Sequence, residues 1–242
     1  MPYVLYLDRY HLGDVLFLQS LTRAMGGARA AGLEALVVHG SGEEAERLLE
    51  GEGYFVAREG GVLQVTSAVE AALVDRAVRQ LNRRLVSLFT DAVVATVGVV
   101  GTDRGLLRAQ SDGGVALHRP EWLLKLVRQG VVPVVGAVAR AADGTGAGEV
   151  DAASVALAAA QALGAGTGEE VGVACFTQTN LPGVMDGRSP RARIRVSELP
   201  DEGLVPEPEA VRRFVAAGVP VLLTNTARLV DRGGPTGTRV VP

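Results

Sequence analysis

A glycine turn near residue 40 is the clearest place in this sequence for an anion to bind. The turn, His39-Gly40-Ser41-Gly42, stands between a short apolar run and a helical pattern. Backbone amides at the start of a helix have no partners within the helix, and the helix dipole favours negative charge there. The sequence therefore predicts that Gly40, Ser41 and Gly42 bind a phosphate or a carboxylate, in preference to forming only a tight turn.

A second polar loop follows the apolar run at 171–176 and contains Thr177, Thr179 and Asn180. Ligands of open α/β sheets bind outside the carboxyl ends of the strands, so these side chains are candidates for ligand contacts. The segment Asn180-Leu181-Pro182-Gly183 is equally typical of a simple turn. Both interpretations stay open at this point.

Other kinds of catalytic site find no support in the sequence. The three histidines stand apart at positions 11, 39 and 118, and the only cysteine, Cys175, lies in an apolar run, so we expect no metal site. The segment HGSGEE lacks the first glycine of a nucleophile elbow. The segment GGPTG at 233–237 lacks the lysine of a phosphate-binding loop.

Composition narrows the class of protein. The chain has 242 residues, is 48% hydrophobic and carries a net charge of -3. Of its 24 basic side chains only Lys125 is a lysine. Because no basic block is interleaved with aromatics, we expect no nucleic-acid partner. No apolar stretch is long enough to span a membrane, so we expect no membrane-spanning segment. A single cysteine excludes an internal disulfide and favours a cytoplasmic location.

Short apolar runs alternate with helical patterns along the whole chain. We predict strands at 3–7, 35–39, 93–97, 131–135, 171–176, 194–196, 219–223 and 238–241. Helices are predicted at 15–25, 43–49, 67–89, 120–127, 151–163 and 207–217, with Thr66 or Ser67 capping the third. Hairpins are expected at 54–65, around Glu59-Gly60-Gly61, and at 104–118. This order predicts one domain, residues 1–242, built as a three-layer αβα sandwich on a mainly parallel sheet.

Seven segments carry a resemblance that covers most of the chain. They are LVVHGSGEEAERLL (36–49), LVDRAVRQLNRRLVSL (73–88), ATVGVVGTDRGLLRA (95–109), LLKLVRQGVVPVVGAVA (123–139), ASVALAAAQALGA (153–165), TNLPGVMDG (179–187) and AVRRFVAAGVPVLLTN (210–225). In this order they resemble the amino-acid kinase family, in particular N-acetylglutamate kinases and kinases of carrier-protein-bound aminoadipate or glutamate. The resemblance implies ATP with Mg, an acidic amino-acid derivative as substrate, a substrate-side lobe at about 1–140 and a nucleotide-side lobe at about 141–242.

The resemblance also implies two catalytic lysines that this chain lacks. The first would fall at Asp8 or Arg9, followed by a glycine pair at His11-Leu12. Arg9 can contact a phosphate, but a planar guanidinium is not equivalent to an ammonium. We therefore expect Asp8, Arg9 and His11 to be ordinary solvated loop residues. The second lysine would fall near Glu207.

Further family positions are partly kept. The resemblance implies a substrate-binding arginine near Gln64. It also assigns Asn82, which fits a family position on its helix, to the substrate side, and it implies that the loop at Thr177, Thr179 and Asn180 contacts the nucleotide. The aspartate that orients the lysines aligns without gaps to Ala153, whereas a two-residue gap would recover Asp151. We expect Asp151 to cap the following helix.

Three hypotheses follow. In the first, the chain is a catalytically impaired kinase homologue that binds a ligand or acts as the partner of a true kinase. Alternatively it is an active carboxylate kinase in which Arg9, with Arg212 or Arg213, replaces the lysines. Thirdly, it is a structural subunit without a small ligand. The resemblance also implies a homodimer through the helix at 67–89 and neighbouring strands. The apolar positions Val69, Leu73, Ala77, Leu81 and Leu85 fit such an interface, and their four-residue spacing fits packing against the protein's own core equally.

Overall fold

The fold is taken from a computed structural model, which describes residues 1–111, 114–141, 146–230 and 234–242. The helices are α1 (Arg9–Gly13), α2 (Val15–Ala30), α3 (Glu44–Gly51), α4 (Ala68–Asp91), α5 (Glu121–Arg128), α6 (Ala152–Thr167) and α7 (Pro208–Ala216). The strands are β1 (Tyr3–Leu7), β2 (Ala35–His39), β3 (Arg58–Glu59), β4 (Val62–Leu63), β5 (Thr96–Val100), β6 (Leu107–Ala109), β7 (Val115–Leu117), β8 (Val132–Gly136), β9 (Val138–Arg140), β10 (Ala147–Glu149), β11 (Gly172–Phe176), β12 (Met185–Asp186), β13 (Ser189–Pro190), β14 (Arg193–Arg195), β15 (Val221–Thr224) and β16 (Thr238–Val241).

The central sheet has eight strands in the order β14-β16-β15-β11-β1-β2-β8-β5. Every pair from β15 to β5 is parallel, whereas β16 runs antiparallel to β15 and carries the edge strand β14 parallel to itself. Leu7 at the end of β1 lies opposite His39 at the end of β2. The predicted mainly parallel sheet is confirmed, and these two neighbouring carboxyl ends position the site described below.

Helices cover both faces of the sheet. Val4 and Tyr6 of β1 pack in one buried cluster with residues of α5, α6 and α7, whereas Leu5 and Leu7 pack in a second with residues of α2 and α4. Each large apolar side chain moved from water into such a layer contributes about 1.5–3 kcal/mol. The alternation along β1 therefore builds the predicted three-layer αβα sandwich.

The long helix α4 begins as predicted but ends later. Ser67 accepts from the backbone of Glu70, whose carboxylate accepts in return from the Ser67 amide, so Ser67, not Thr66, is the cap. The helix continues to Asp91, and Val93 then has a φ of 60°. Because this left-handed residue ends the helical turn, β5 starts at Thr96 and the predicted strand at 93–97 was placed too early.

The hairpin at 54–65 is shorter than predicted. Only Arg58–Glu59 pairs with Val62–Leu63, so 54–57 is not a strand. Gly60 and Gly61 both have positive φ, at 54° and 83°, which glycine adopts without strain. The tight turn places Arg58 and Leu63 side by side, and both recur in the site.

The predicted hairpin at 104–118 corresponds to β6 and β7, although its residues 112–113 lie outside the described ranges. It belongs to a second sheet, in the order β10-β9-β6-β7, which the sequence did not predict. Strand β10 ends at Glu149, immediately before α6. This short strand is what delivers Glu149 to the site.

The apolar positions proposed for dimerisation face the protein's own core for the most part. Ala77, Leu81 and Leu85 are buried, Leu73 is half-buried and only Val69 is exposed. Their periodicity therefore reflects packing of α4 within the chain, and the homodimer stays a prediction without support from them. In the described part of the chain, no helix combines the length and apolar character needed to cross a membrane.

Candidate functional site

A crevice lies at the carboxyl ends of β1 and β2, bounded by the Gly40–Gly42 turn and by the starts of α6 and α7. Its free volume is about 40 Å³, whereas sites for small organic ligands usually measure about 300–1,000 Å³. Its charged lining consists of four carboxylates and two guanidinium groups: Asp8, Glu149, Asp151, Glu207, Arg9 and Arg58. The crevice is therefore narrow, and acidic groups outnumber basic ones.

The glycine turn contacts a carboxylate of the same chain. The Ser41 amide donates to Glu149 Oε1 at 3.0 Å, and the Leu63 amide donates to Glu149 Oε2 at 3.2 Å. Gly42 has a φ of 61°, which lets the chain turn sharply into α3. The geometry of the turn suits an anion, as the sequence predicted, and the anion that it contacts is the side chain of Glu149.

Arg58 is a basic group that hydrogen-bonds directly to this turn, and its position could not be anticipated from the motifs above. Its Nη2 donates to Ser41 Oγ at 3.0 Å and to the Gly42 carbonyl at 3.3 Å. Its Nε pairs with Glu46 at 2.9 Å and its Nη1 with Glu149 at 3.4 Å. Burial lowers the pKa of Arg58, but the hydrogen bond to Glu46 and the charges of Glu149 and Glu46 outweigh it and raise the pKa. The guanidinium is thus charged and engaged on both sides by carboxylates.

The end of β1 differs from the expected solvated loop. Asp8 and His11 are buried in and beside the short helix α1, so that expectation was wrong for both. Asp8 caps the helix through the His11 amide at 3.0 Å and pairs with His11 Nδ1 at 2.8 Å. Only Arg9 is exposed, and it pairs with Glu46 at 3.3 Å. A carboxylate therefore stands, buried, at the point where β1 ends.

Glu207 approaches the same point from the start of α7. The Tyr6 hydroxyl donates to its carboxylate, and the backbone of Arg9 forms a second hydrogen bond with it. Burial raises the pKa of Glu207, and the negative charges of Asp8 and Asp151 raise it further against those hydrogen bonds. The pKa of Tyr6 also rises well above its ordinary value, because of burial and the adjacent Glu207. Glu207 thus lies beside Asp8, one of the two positions at which the resemblance puts the first lysine, and both of these groups are acidic.

Asp151 caps α6, as predicted. Its carboxylate accepts from the amides of Ala153 at 3.2 Å and Ser154 at 3.1 Å. It also pairs with Arg213 at 2.7 Å. Arg212 pairs instead with Asp201 and Glu209. Arg212 and Arg213 therefore bind neighbouring acids, and of the arginines suggested as lysine replacements Arg9 lines the crevice beside the glycine turn whereas these two do not.

Gln64 and Asn82 do not lie in the crevice. Gln64 is exposed and donates to the Val62 carbonyl at 3.1 Å. Asn82 is buried, and its Nδ2 donates to the Val134 carbonyl at 2.9 Å and to His39 Nε2 at 3.0 Å. His39 Nδ1 in turn donates to the Gly40 carbonyl at 2.7 Å, and burial lowers the pKa of His39 to about 4. Asn82 therefore supports the turn from within the core.

The loop after β11 borders a separate cavity of about 150 Å³. Thr177 and Asn180 line this cavity with Tyr10 and His11, whereas Thr179 is exposed and does not. The Thr177 hydroxyl already donates to the Leu181 carbonyl at 2.6 Å. Asn180 has a φ of 54° and accepts from Asn225, which fits a turn. Only part of a nucleotide would find room there.

The lining of the crevice does not fit Mg-bound ATP. A triphosphate needs basic groups that are free to contact it, and both lining arginines are paired with carboxylates. Within residues 1–111, 114–141, 146–230 and 234–242, no group of three or more His, Cys, Asp and Glu side chains is arranged to hold a metal ion.

Comparison with known proteins establishes the family. Residues 12–241 match the model of the amino acid kinase family. The chain belongs to this family. It is 32% identical to acetylglutamate kinase of Saccharopolyspora erythraea, over 88% of this chain and 78% of the relative. It is 29% identical to acetylglutamate kinase of Chloroflexus aurantiacus, over 95% and 94%.

Solved structures show the same fold. The protein smu.665 from Streptococcus mutans superimposes with a TM-score of 0.69 at 19% identity, covering 99% of this chain and 98% of that one. An isopentenyl phosphate kinase superimposes with a TM-score of 0.63 at 17% identity, covering 99% and 100%. At such identities the likeness concerns the fold alone.

Proposed function

We propose that this chain is an acetylglutamate-kinase-like protein that does not transfer phosphate and acts by binding a ligand or a partner protein. The observation that carries the proposal is the charge of the crevice. Asp8 and Glu207 stand where β1 ends, and Glu149 stands at the glycine turn. An anionic acceptor and a triphosphate would both be repelled from this place.

Phosphoryl transfer depends mostly on fixed positive charge around the transferred group, and loss of one donor of this kind commonly costs about 10²–10³ in rate. Arg58 is already paired with two carboxylates, and Arg9 with one. Neither guanidinium is free to replace an ammonium group. We therefore expect that several of the positive donors needed for phosphoryl transfer are missing at once.

The ligand that we propose is an acidic amino-acid derivative or part of a nucleotide. The cavity beside Thr177 and Asn180 has about four times the free volume of the crevice, 150 Å³ against 40 Å³, and is the better place for either. The partner that we propose is a second copy of this chain or an active kinase of the same family.

A hydroxamate assay tests the absence of activity. Purified protein is incubated with Mg-ATP and N-acetylglutamate, and acyl phosphate is trapped with hydroxylamine. We expect no product above the background without enzyme. Robust trapping would refute the proposal and support the active alternative, for which Arg58, rather than Arg9 with Arg212 or Arg213, is the basic group at the turn.

The small crevice also favours the third hypothesis, a subunit with a structural role only. Calorimetric titration separates it from the first. Heat of binding with ATP, with or without Mg, or with N-acetylglutamate supports a ligand-binding protein. No heat with any of them, together with assembly into larger particles in sedimentation, supports the structural role.

A further inference from the structure

We infer that Glu149 is an internal ligand of a carboxylate-binding site, and that it keeps external carboxylates out of the glycine turn. The inference deepens the proposed function, because it concerns the same crevice, and says how that crevice is closed. Glu149 Oε1 accepts from the Ser41 amide, and Oε2 accepts from the Leu63 amide and Arg58. Its side chain is only 2% exposed.

The donors form a site because they come from separate elements and converge on one carboxylate. Ser41 follows β2, Leu63 belongs to β4 and Arg58 belongs to β3. The distances of 3.0, 3.2 and 3.4 Å place a donor on each oxygen. Hydrogen bonds to an ionised carboxylate are stronger than neutral ones, and burial increases their effect.

These donors would keep their places without Glu149. Arg58 is also bound by Glu46 at 2.9 Å and by the Gly61 carbonyl at 2.6 Å. The turn is held from beneath by His39, whose Nδ1 donates to the Gly40 carbonyl. Glu149 itself reaches the site from the end of β10, where it pairs with Val138 of β9. The site is therefore built by the scaffold and merely filled by Glu149.

The class of ligand follows from the space. The crevice has about 40 Å³ free, and truncation of Glu149 would add the volume of its carboxylate and methylene groups. A small monocarboxylate such as acetate fits the enlarged space and offers the same two acceptor oxygens. Chloride offers neither the shape nor the paired oxygens, so it is the reference anion.

The test is chemical rescue of Glu149→Ala by acetate. We expect this variant to melt several degrees below the parent protein in sodium chloride, because buried donors lose their acceptor. Replacing the chloride by sodium acetate at equal ionic strength should restore most of the lost Tm, since a ligand of the folded state stabilises it. The parent protein should show no such difference between the two salts.

Matched variants make the result specific. Glu198→Ala also removes a carboxylate from a backbone amide, that of Arg195, and from an arginine, Arg191, but at an exposed site. It should show no acetate-specific gain. Glu149→Gln keeps the crevice filled and should gain nothing, and Glu149→Ala with Arg58→Ala should lose the gain seen in the single variant.

An equal response of the parent protein, Glu149→Ala and Glu198→Ala to acetate would overturn the inference. If Glu149→Ala does not fold in chloride, refolding from urea in acetate is measured instead, and failure there also overturns it. Acyl-phosphate formation by the unaltered protein would refute the proposed function, but it would leave the outcome of the acetate rescue to stand by itself.

Discussion

The two halves of the crevice lie at the ends of neighbouring strands. One half attracts an anion, and the other repels it. The half after β2 directs the Ser41 amide and Arg58 at a carboxylate. The half after β1 presents Asp8 and Glu207, and burial together with the charge of Asp8 raises the pKa of Glu207. The first half combines backbone amides with one guanidinium, whereas the second depends on side-chain carboxylates. The same crevice therefore combines a turn that binds a carboxylate with an acidic end of β1.

Arg58→Ala should have the largest effect. The change leaves Glu46 and Glu149 without their shared cation, and breaking a buried ion pair commonly costs about 3–5 kcal/mol. Urea unfolding followed by circular dichroism measures the loss. Arg9→Ala is the control, since Arg9 is 48% exposed and its pair with Glu46 should contribute less than about 1 kcal/mol. Equal losses in both variants would show that Arg58 does not organise the turn.

Asn82→Ala should weaken the turn half from within the core. The buried amide donates to His39 and to the Val134 carbonyl, and leaving such acceptors unpaired costs about 1–3 kcal/mol. The same unfolding measurement applies. Gln64→Ala, at the other position that the family resemblance assigned to substrate, should change stability by no more than about 0.5 kcal/mol because Gln64 is exposed. A larger loss for Gln64→Ala would contradict this assignment of roles.

Glu207→Gln should stabilise the protein at neutral pH, by about 0.5–2 kcal/mol, the range usual for removing an unfavourable charge. Glu207 has a raised pKa, so its contribution is present below its unfolded pKa and is lost as the pH rises through its folded pKa. The advantage of the variant should therefore vanish in acid and grow toward neutral pH. Melting curves across this range measure it.

Glu198→Gln should change the stability at neutral pH in the opposite direction. The backbone amide of Arg195 and the side chain of Arg191 lower the pKa of Glu198. Its contribution is present above its unfolded pKa and is lost as the pH falls through its folded pKa. The glutamine variant should then be the less stable at neutral pH, with the difference disappearing in acid. The same trend for both variants would argue against an acidic end of β1.

The double variant Arg9→Lys with Glu207→Lys should show the smallest effect, because we expect it to gain no kinase activity. The new ammonium groups would pair with Asp8 and Asp151, and the glycine pair of the family is still replaced by His11-Leu12. The hydroxamate assay measures this double variant beside the parent protein. Acyl phosphate from the double variant alone would show that charge was the only defect and would remove the contrast between the two halves.

Most of the fold could be predicted from the sequence. The strands at 3–7 and 35–39 have the predicted bounds, and Ser67 and Asp151 cap the helices that follow them. Such features are local, because apolar runs, caps and glycine turns act over a few residues. The strand at 93–97 was misplaced because the left-handed Val93 has no strong sequence signal.

Much of the site could not be predicted in this way. Arg58 and Glu149 stand 91 positions apart, and only the packing of the β3–β4 hairpin against the end of β10 brings them together. Burial likewise separates Asp8 and His11, which form a buried pair, from the exposed Arg9 between them.

The sequence alone determined the identity of the charges and the local elements that carry them, including Glu207, and Asp8 or Arg9, where the resemblance implies lysines. Only the tertiary structure decided which charges meet, and that Glu149 rather than an external anion lies at the glycine turn. The physical reason is that pairing and burial depend on contacts between distant segments, which no local pattern of residues specifies.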